Sequence, residues 1–244
     1  MIDFHSHILP NIDDGSTNMQ ESIKLIKEAE QVGFTGIVST SHYLENYFEC
    51  GEKERKKLLN DLEDKIESNK AVNVSKKIQL YLGSEIYVTQ NMIELLKEGK
   101  ASSINGTKYV LFELPMNSKP LFVKEIVYKL IENGYKPVIA HPERYSYVKE
   151  DITYVEELKK MGALFQANYG SVIGMYGIEA KKTIKKLLKK DLISFLGSDV
   201  HRAGQIYPKI PKILKKLEKW TSTEKLEELT TLNAKKVLES EKTD

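Results

Sequence analysis

Met1-Ile2-Asp3-Phe4-His5-Ser6-His7 opens the chain as an apolar run of strand length that ends in two histidines two positions apart. Residues two apart in a strand face the same side, so both imidazoles are delivered to one place. The same design returns later, where Leu192-Ile193-Ser194-Phe195-Leu196 leads into Asp199-Val200-His201. His42 and His141 each end a further apolar run, and with them all five histidines of the chain are used. A lone histidine on an apolar face is usually a hydrogen-bonded core residue. Five with no remainder, accompanied by carboxylates at strand ends, point to a metal centre.

Working outward, strand-like runs recur at 36–40, 78–82, 109–112, 137–140, 164–167 and 193–196, which with the first makes seven. Segments of helical period separate them, among them 123–131, 155–161 and 178–190. Asn18 with Glu21 reads as a capping box opening a helix whose Ile23, Ile26 and Ala29 share a face and which Gly33 ends. Strands alternating with helices predict a parallel sheet, either closed or doubly wound. The ligand-type residues choose between these. His5/His7, His42, Glu85, Glu113, His141 and Asp199/His201 follow six of the seven runs. Strands stand about 4.8 Å apart, so an open sheet would scatter these ends, whereas a closed ring gathers them at one mouth. The expectation is therefore an α/β protein, a TIM-like (β/α)7 barrel forming a single domain over residues 1–244, with its site on the C-terminal face. The remaining run ends in Gln166 and Asn168, which either support the site or fill the barrel rim.

Composition narrows the function. The chain has 244 residues and a net charge of only +2, so it carries no overall electrostatic footprint for nucleic acid. Neither a basic leader nor a long apolar stretch is present, which predicts a cytoplasmic protein without membrane insertion. The single cysteine, Cys50, excludes an internal disulfide framework. Cysteine-dependent phosphatases need an arginine six positions after the thiolate, but Cys50 is followed by Arg55 at five and Lys56 at six. Cys50 thus reads as a passive thiol, and no Walker or Rossmann phosphate loop is found. Nitrogen and carboxylate ligands without sulfur suit manganese, iron or zinc. Clustered divalent ions make hydroxide available near neutral pH and neutralise the oxygens of an in-line displacement at phosphorus.

With these residues in hand, the chain resembles the PHP superfamily (polymerase and histidinol phosphatase), and within it the manganese-dependent bacterial protein-tyrosine phosphatases of capsule and exopolysaccharide operons. The stretches that carry the resemblance are residues 1–7, Asp13-Asp14-Gly15, Ile37-Val38-Ser39-Thr40-Ser41-His42, Gly83-Ser84-Glu85-Ile86-Tyr87, His141-Pro142-Glu143-Arg144-Tyr145 and Ser198-Asp199-Val200-His201. The resemblance implies a distorted seven-stranded barrel and three divalent ions. One would be held by His5, His7, Glu85 and Asp199. Glu85 would bridge to a second, shared with Glu113 and His141, and a third would lie between Asp14, His42 and His201. Manganese comes from the resemblance alone. It also implies a phosphotyrosine-bearing protein substrate, the tail of a bacterial tyrosine kinase, hydrolysed without a phosphoenzyme.

Arg144, three residues after His141, is placed to clamp phosphoryl oxygens; its bland alternative is a salt bridge to Glu143. Arg144, Asp199 and His42 are the residues expected to serve catalysis. One departure stands out. The related phosphatases carry a second arginine a few residues after the final Asp-x-His, where this chain has Ala203-Gly204-Gln205-Ile206-Tyr207-Pro208. Arg202 or Lys209 would have to replace it as a substrate ligand. The departure keeps open a small-molecule phosphatase, such as one for histidinol phosphate, and a non-catalytic metal-binding regulatory module. The aromatic loop 43–48, with Tyr145 and Tyr147, either grips a phosphotyrosyl ring or packs the rim. Lysines along 181–190 form a solvated helix face, and the segment 223–238 is expected to cover the barrel.

Overall fold

The computed structural model describes residues 1–68 and 78–243. Nine strands are present among the described residues: β1 (Ile2–Ser6), β2 (Gly36–Ser39), β3 (His42–Tyr43), β4 (Gln79–Leu82), β5 (Glu85–Tyr87), β6 (Tyr109–Glu113), β7 (Lys136–Ala140), β8 (Leu164–Asn168) and β9 (Phe195–Gly197). All their pairings are parallel, in the orders β1-β2-β4 and β3-β5-β6-β7-β8-β9. The nine resolve into the seven expected runs, because two runs are broken once each. Thr40-Ser41 separates β2 from β3, and Gly83-Ser84 separates β4 from β5. The ring shuts beside the site, where Ser6 bridges Val200, Asp199 N–H donates to His5 O at 2.8 Å and His7 N–H donates to Val200 O at 3.1 Å.

The breaks are built into the sequence. Buried Arg55, on the helix Glu52–Ser68, donates to Ser41 O at 3.5 Å, Lys100 O at 3.1 Å and Ser102 Oγ at 3.4 Å, joining the break after β2 to the segment behind it. Only the upper halves of the broken strands continue the ring, with β5 pairing β6. Below, the turn Ile104–Gly106 and the helix Asn233–Leu238 join the barrel interior. Ile104, Ala234, Val237 and Leu238 pack with Ile2, Phe4, Val38, Leu111, Val138, Ala140 and Phe195. The C-terminal segment therefore plugs the barrel from below, and Phe4 stacks on Phe195 at 4.0 Å.

A larger cluster lies between the strands and the helices around them. The helix Val123–Glu132 buries Val123, Ile126, Val127 and Leu130 at helical spacing, each side chain contributing about 1.5–3 kcal/mol by leaving water. On Met19–Gln31 the Asn18 side chain accepts from Glu21 N–H at 2.9 Å, but the Glu21 carboxylate returns to Thr17 N–H rather than to Asn18, shifting the reciprocal half of the cap by one residue. Along Ile178–Lys189 the lysines face water, with Lys182 paired to Glu179. No helix among the described residues is long and apolar enough to cross a membrane.

Candidate metal centre

Simple alternation cannot put both Phe4 and His5 inside. The β1–β2 register shifts between Asp3 and Ser6, and this irregularity turns His5 and His7 into the mouth above buried Phe4. Gly197 on β9 makes the room: a Cβ there would lie 2.5 Å from His5 Cβ. His141 and Asp199 occupy the left-handed region, with φ of 32° and 52°. Such backbone costs about 1–3 kcal/mol in a non-glycine residue and gathers at functional sites.

The first donor group comprises His5, His7, Glu85 and Asp199, all buried. His5 Nε2 lies 3.1 Å from His7 Nε2, 3.1 Å from Glu85 Oε2 and 3.6 Å from Asp199 Oδ1; His7 Nε2 lies 3.4 Å from Glu85 Oε2 and 3.3 Å from Asp199 Oδ1. Ligands about 2.1 Å from a common centre stand roughly 3.0–3.4 Å from each other in octahedral or tetrahedral order. The spacings fit a divalent ion. A second group joins Glu85 and Glu113 with two histidines: His42 Nδ1 is 3.2 Å from both carboxylates, while His141 Nε2 is 2.8 Å from Glu85 Oε1 and 3.8 Å from Glu113 Oε2. Glu85 thus uses Oε2 toward the first group and Oε1 toward His141. His141 Nδ1 is buried without a hydrogen-bond partner. The third group sets Asp14 Oδ1 3.2 Å from His201 Nε2 and 3.6 Å from His42 Nε2, with His7 alongside. His42 therefore offers one ring nitrogen to each of two groups, whereas the sequence reading assigned it to the third alone.

The charges are arranged for cations. Burial disfavours the ionised form of Glu85, yet His5 and His42 beside it and the bonds from His141 and His5 hold its carboxyl well below the usual range. Burial likewise opposes ionisation of Asp199, and His5, His7, Arg144 and His201 overcome it. His42 is the counterpart. Burial lowers its basicity, but Glu85 and Glu113 raise its pKa to about 9. Without ions, protons on the imidazoles balance the carboxylates, so ion binding must displace protons.

Several supporting residues escaped the sequence reading. Asp13 accepts from His7 Nδ1 at 2.8 Å and His42 N–H at 2.9 Å through Oδ2, and from Gly15 N–H at 2.9 Å through Oδ1. Burial resists its ionisation, but these partners hold its carboxyl far below the ordinary range. It orients His7 so that Nε2 faces the first group. Glu143 does not pair with Arg144; it is buried and accepts from Asn168 N–H at 2.9 Å and Ser171 Oγ at 2.6 Å. Arg144 instead donates through Nη1 to Asp199 Oδ2 at 2.6 Å and lies over the Tyr176 ring at 4.5 Å, a quarter exposed at the mouth.

The two candidates for the second cation sit differently. Arg202 Nη1 donates to the carbonyls of Asp14, Gly15 and His201, tying the Asp13-Asp14-Gly15 turn to the last ligand segment. Lys209 Nζ lies beside exposed Met175, 4.0 Å from its Sδ. Tyr145 is buried, its hydroxyl donating to Ala140 O and accepting from Leu114 N–H, and Tyr147 stacks on it, so both pack the rim. In the 43–48 loop Phe48 stacks beside His42 while Tyr47 is exposed. Half-buried Cys50 has its thiol pushed up to about 11, by burial first and by Glu54 second, as a passive thiol should.

The chain is similar to known proteins over most of its length. Residues 1–239 match the model of the family described as capsular polysaccharide synthesis, CpsB/CapC. The putative tyrosine-protein phosphatase CapC of Staphylococcus aureus is 35% identical over 201 residues, spanning 82% of this chain and 77% of that one. The tyrosine-protein phosphatase CpsB of Streptococcus agalactiae is 30% identical over 245 residues, spanning 98% of this chain and 99% of that one. A chain from the crystal structures of YwqE from Bacillus subtilis and CpsB from Streptococcus pneumoniae, described as unique metal-dependent tyrosine phosphatases, superposes with a TM-score of 0.90 at 30% identity, covering 98% of this chain and 94% of that one.

Proposed function

The chain belongs to the CpsB/CapC family of capsular polysaccharide synthesis, and from that premise we propose that it is a metal-dependent phosphatase hydrolysing phosphotyrosine in protein. The observation that carries the proposal is the run of three bordering donor groups at one mouth, with Arg144 bound to a carboxylate of the first. His5, His7, Glu85 and Asp199 would hold one ion, Glu85, Glu113 and His141 with His42 Nδ1 a second, and Asp14, His42 and His201 a third. Manganese is the proposed metal, with iron and zinc compatible with the same donors. Bound ions would supply acidified water and charge neutralisation at phosphorus.

The chain's own residues do the rest. Arg144 spends Nη1 on Asp199, and its other guanidinium N–H groups are proposed to clamp the phosphoryl oxygens. The Tyr176 ring under the guanidinium limits its swing. Asp199 thus links the anion clamp to the first donor group. Tyrosine phenolate, with a pKa of about 10, is a fair leaving group and needs little proton donation. Arg202 is proposed to act through the turn it ties, leaving Lys209 as the remaining candidate for the second cation. Half-exposed Asp14 and partly exposed Arg144 leave the mouth open on one side, which suits a flexible protein tail. A bacterial tyrosine kinase of a polysaccharide-export system is the proposed partner, in the cytoplasm.

The test is phosphate release from a kinase-tail phosphotyrosine peptide set against a phosphoserine peptide and histidinol phosphate. Preference for the phosphotyrosine peptide supports the reading. Preference for histidinol phosphate would replace it with a small-molecule phosphatase, and turnover of none would indicate a regulatory metal protein.

A further inference from the structure

The end of β8 supplies no ligand, yet two amides of that strand are wholly buried against the first donor group. His5 Nδ1 lies 2.8 Å from Gln166 Oε1. Gln166 Nε2 donates to Asn168 Oδ1 at 2.9 Å, and Asn168 Nδ2 donates to Asp199 Oδ2 at 2.7 Å. Residues 166 and 168 share a strand face, so the two amides stand in series. The series has one polarity. An ionised carboxylate only accepts, so Asn168 must point its NH2 at Asp199; its oxygen then faces Gln166 and must accept; the Gln166 oxygen is left for His5 and can only accept a proton. His5 Nδ1 therefore carries hydrogen, which leaves Nε2, facing His7, Glu85 and Asp199, as the nitrogen able to offer a lone pair to an ion. Reversing Asn168 would set its oxygen against the Asp199 carboxylate and its NH2 against that of Gln166, and reversing Gln166 would set two amide oxygens against each other, at a buried site where a mismatched polar group is costly.

We propose that Gln166 and Asn168 are positioning residues, a directional amide relay through which Asp199 sets the tautomer and orientation of His5 across the first ion site. The proposal rests on reading His5 and Asp199 as ligands of one ion. Partners of this kind are worth 10–100-fold in metal affinity when bonded directly to a ligand histidine. Here the distinctive consequence is action at one remove: Asn168 touches Asp199 and not His5, but its loss frees the Gln166 amide to rotate.

The experiment uses the full chain, stripped with chelator and titrated with zinc, whose diamagnetism permits NMR of imidazole N–H groups. Gln166→Met and Asn168→Ala should each weaken the tightest zinc binding about 10–100-fold, and the double variant should lose no more than the worse single, because one broken link severs the relay. The slowly exchanging Nδ1–H signal of His5 should be lost in Asn168→Ala. Asn168→Asp, nearly isosteric, still accepts from Gln166 and should keep that signal while losing the donor to Asp199. Additive losses in the double variant, a protected Nδ1–H in Asn168→Ala, or its loss in Asn168→Asp would each overturn the relay. Failure of the parent protein to bind zinc would instead overturn the reading of the site beneath it.

Discussion

Asp13→Asn tests whether the carboxylate behind His7 sets the metal centre. In the wild type Oδ2 takes two donors, the His7 ring at 2.8 Å and His42 N–H at 2.9 Å, while Oδ1 takes Gly15 N–H. An asparagine has one acceptor oxygen. Turned toward His7 and His42, it sets its NH2 against Gly15 N–H; turned the other way, it strands both of the others. At least one bond is lost in either pose, and the survivors lose their charge assistance. Direct carboxylate partners of ligand histidines are worth about 10–100-fold in metal affinity, or about 1.4–2.7 kcal/mol. A buried charge-assisted bond is worth about 1.5–3 kcal/mol to the metal-free fold. Stripped variant and parent would be titrated with manganese while hydrolysis of a phosphotyrosine peptide is followed. The activation midpoint should rise about 10–100-fold, with the plateau near that of the parent. An unchanged midpoint with a lower plateau would refute the reasoning, since Asp13 would then act on the reacting groups and not through His7.

Arg144→Ala should lower kcat/KM about 100–1000-fold, the usual cost of removing one donor from a developing oxyanion; Arg144→Lys should recover only part, because a point charge cannot replace a fork, and full recovery would argue against bidentate binding. The pH response should change sign with metal. His42 is raised from 6.5 to about 9 in the metal-free fold, so its contribution of at most about 3 kcal/mol is fully present below pH 6.5 and lost as pH rises through 9. Ion binding needs the neutral imidazole, so the Tm gap between loaded and stripped protein should widen across that window, and parallel Tm curves would contradict the assignment. Cys50→Ser should leave turnover within about twofold, given its raised thiol; abolished activity would point to a thiol mechanism.

The strand ends were legible because their side chains carry two messages at once, an apolar run that must be buried and ligand atoms that must converge. That pairing pointed to the closed ring and to nine candidate ligands, of which eight fall in three adjoining donor groups while His141 reaches the second through Glu85. The breaks at Thr40-Ser41 and Gly83-Ser84 were not legible, since they sit against distant segments, Ser41 O beside Arg55 and Gly83 against Ile104, where a Cβ would lie 2.8 Å from the Ile104 side chain. The register shift in β1 was hidden for a similar reason: strand alternation sets Phe4 and His5 on opposite faces, and only the gap over Gly197 lets both turn inward. The role of Asp13 was hidden because its partner His7 is recognised by geometry and not by spacing. The segment 223–238 was expected to cover the barrel, and its residues Ala234, Val237 and Leu238 go further, entering the interior from below. Arg202 could be located beside the site from sequence, while its three carbonyl partners could not.

The central claim, that the clustered histidines and carboxylates make this chain a metal-dependent phosphotyrosine hydrolase, is met most directly by one measurement. Phosphate release from a phosphotyrosine peptide would be followed with chelator-stripped protein before and after manganese is restored. The account predicts negligible release from the stripped protein and recovery on addition of manganese, blocked in Glu85→Gln, whose carboxylate faces His5, His7, His42 and His141. Undiminished turnover by the stripped protein, or a fully active Glu85→Gln, would contradict it.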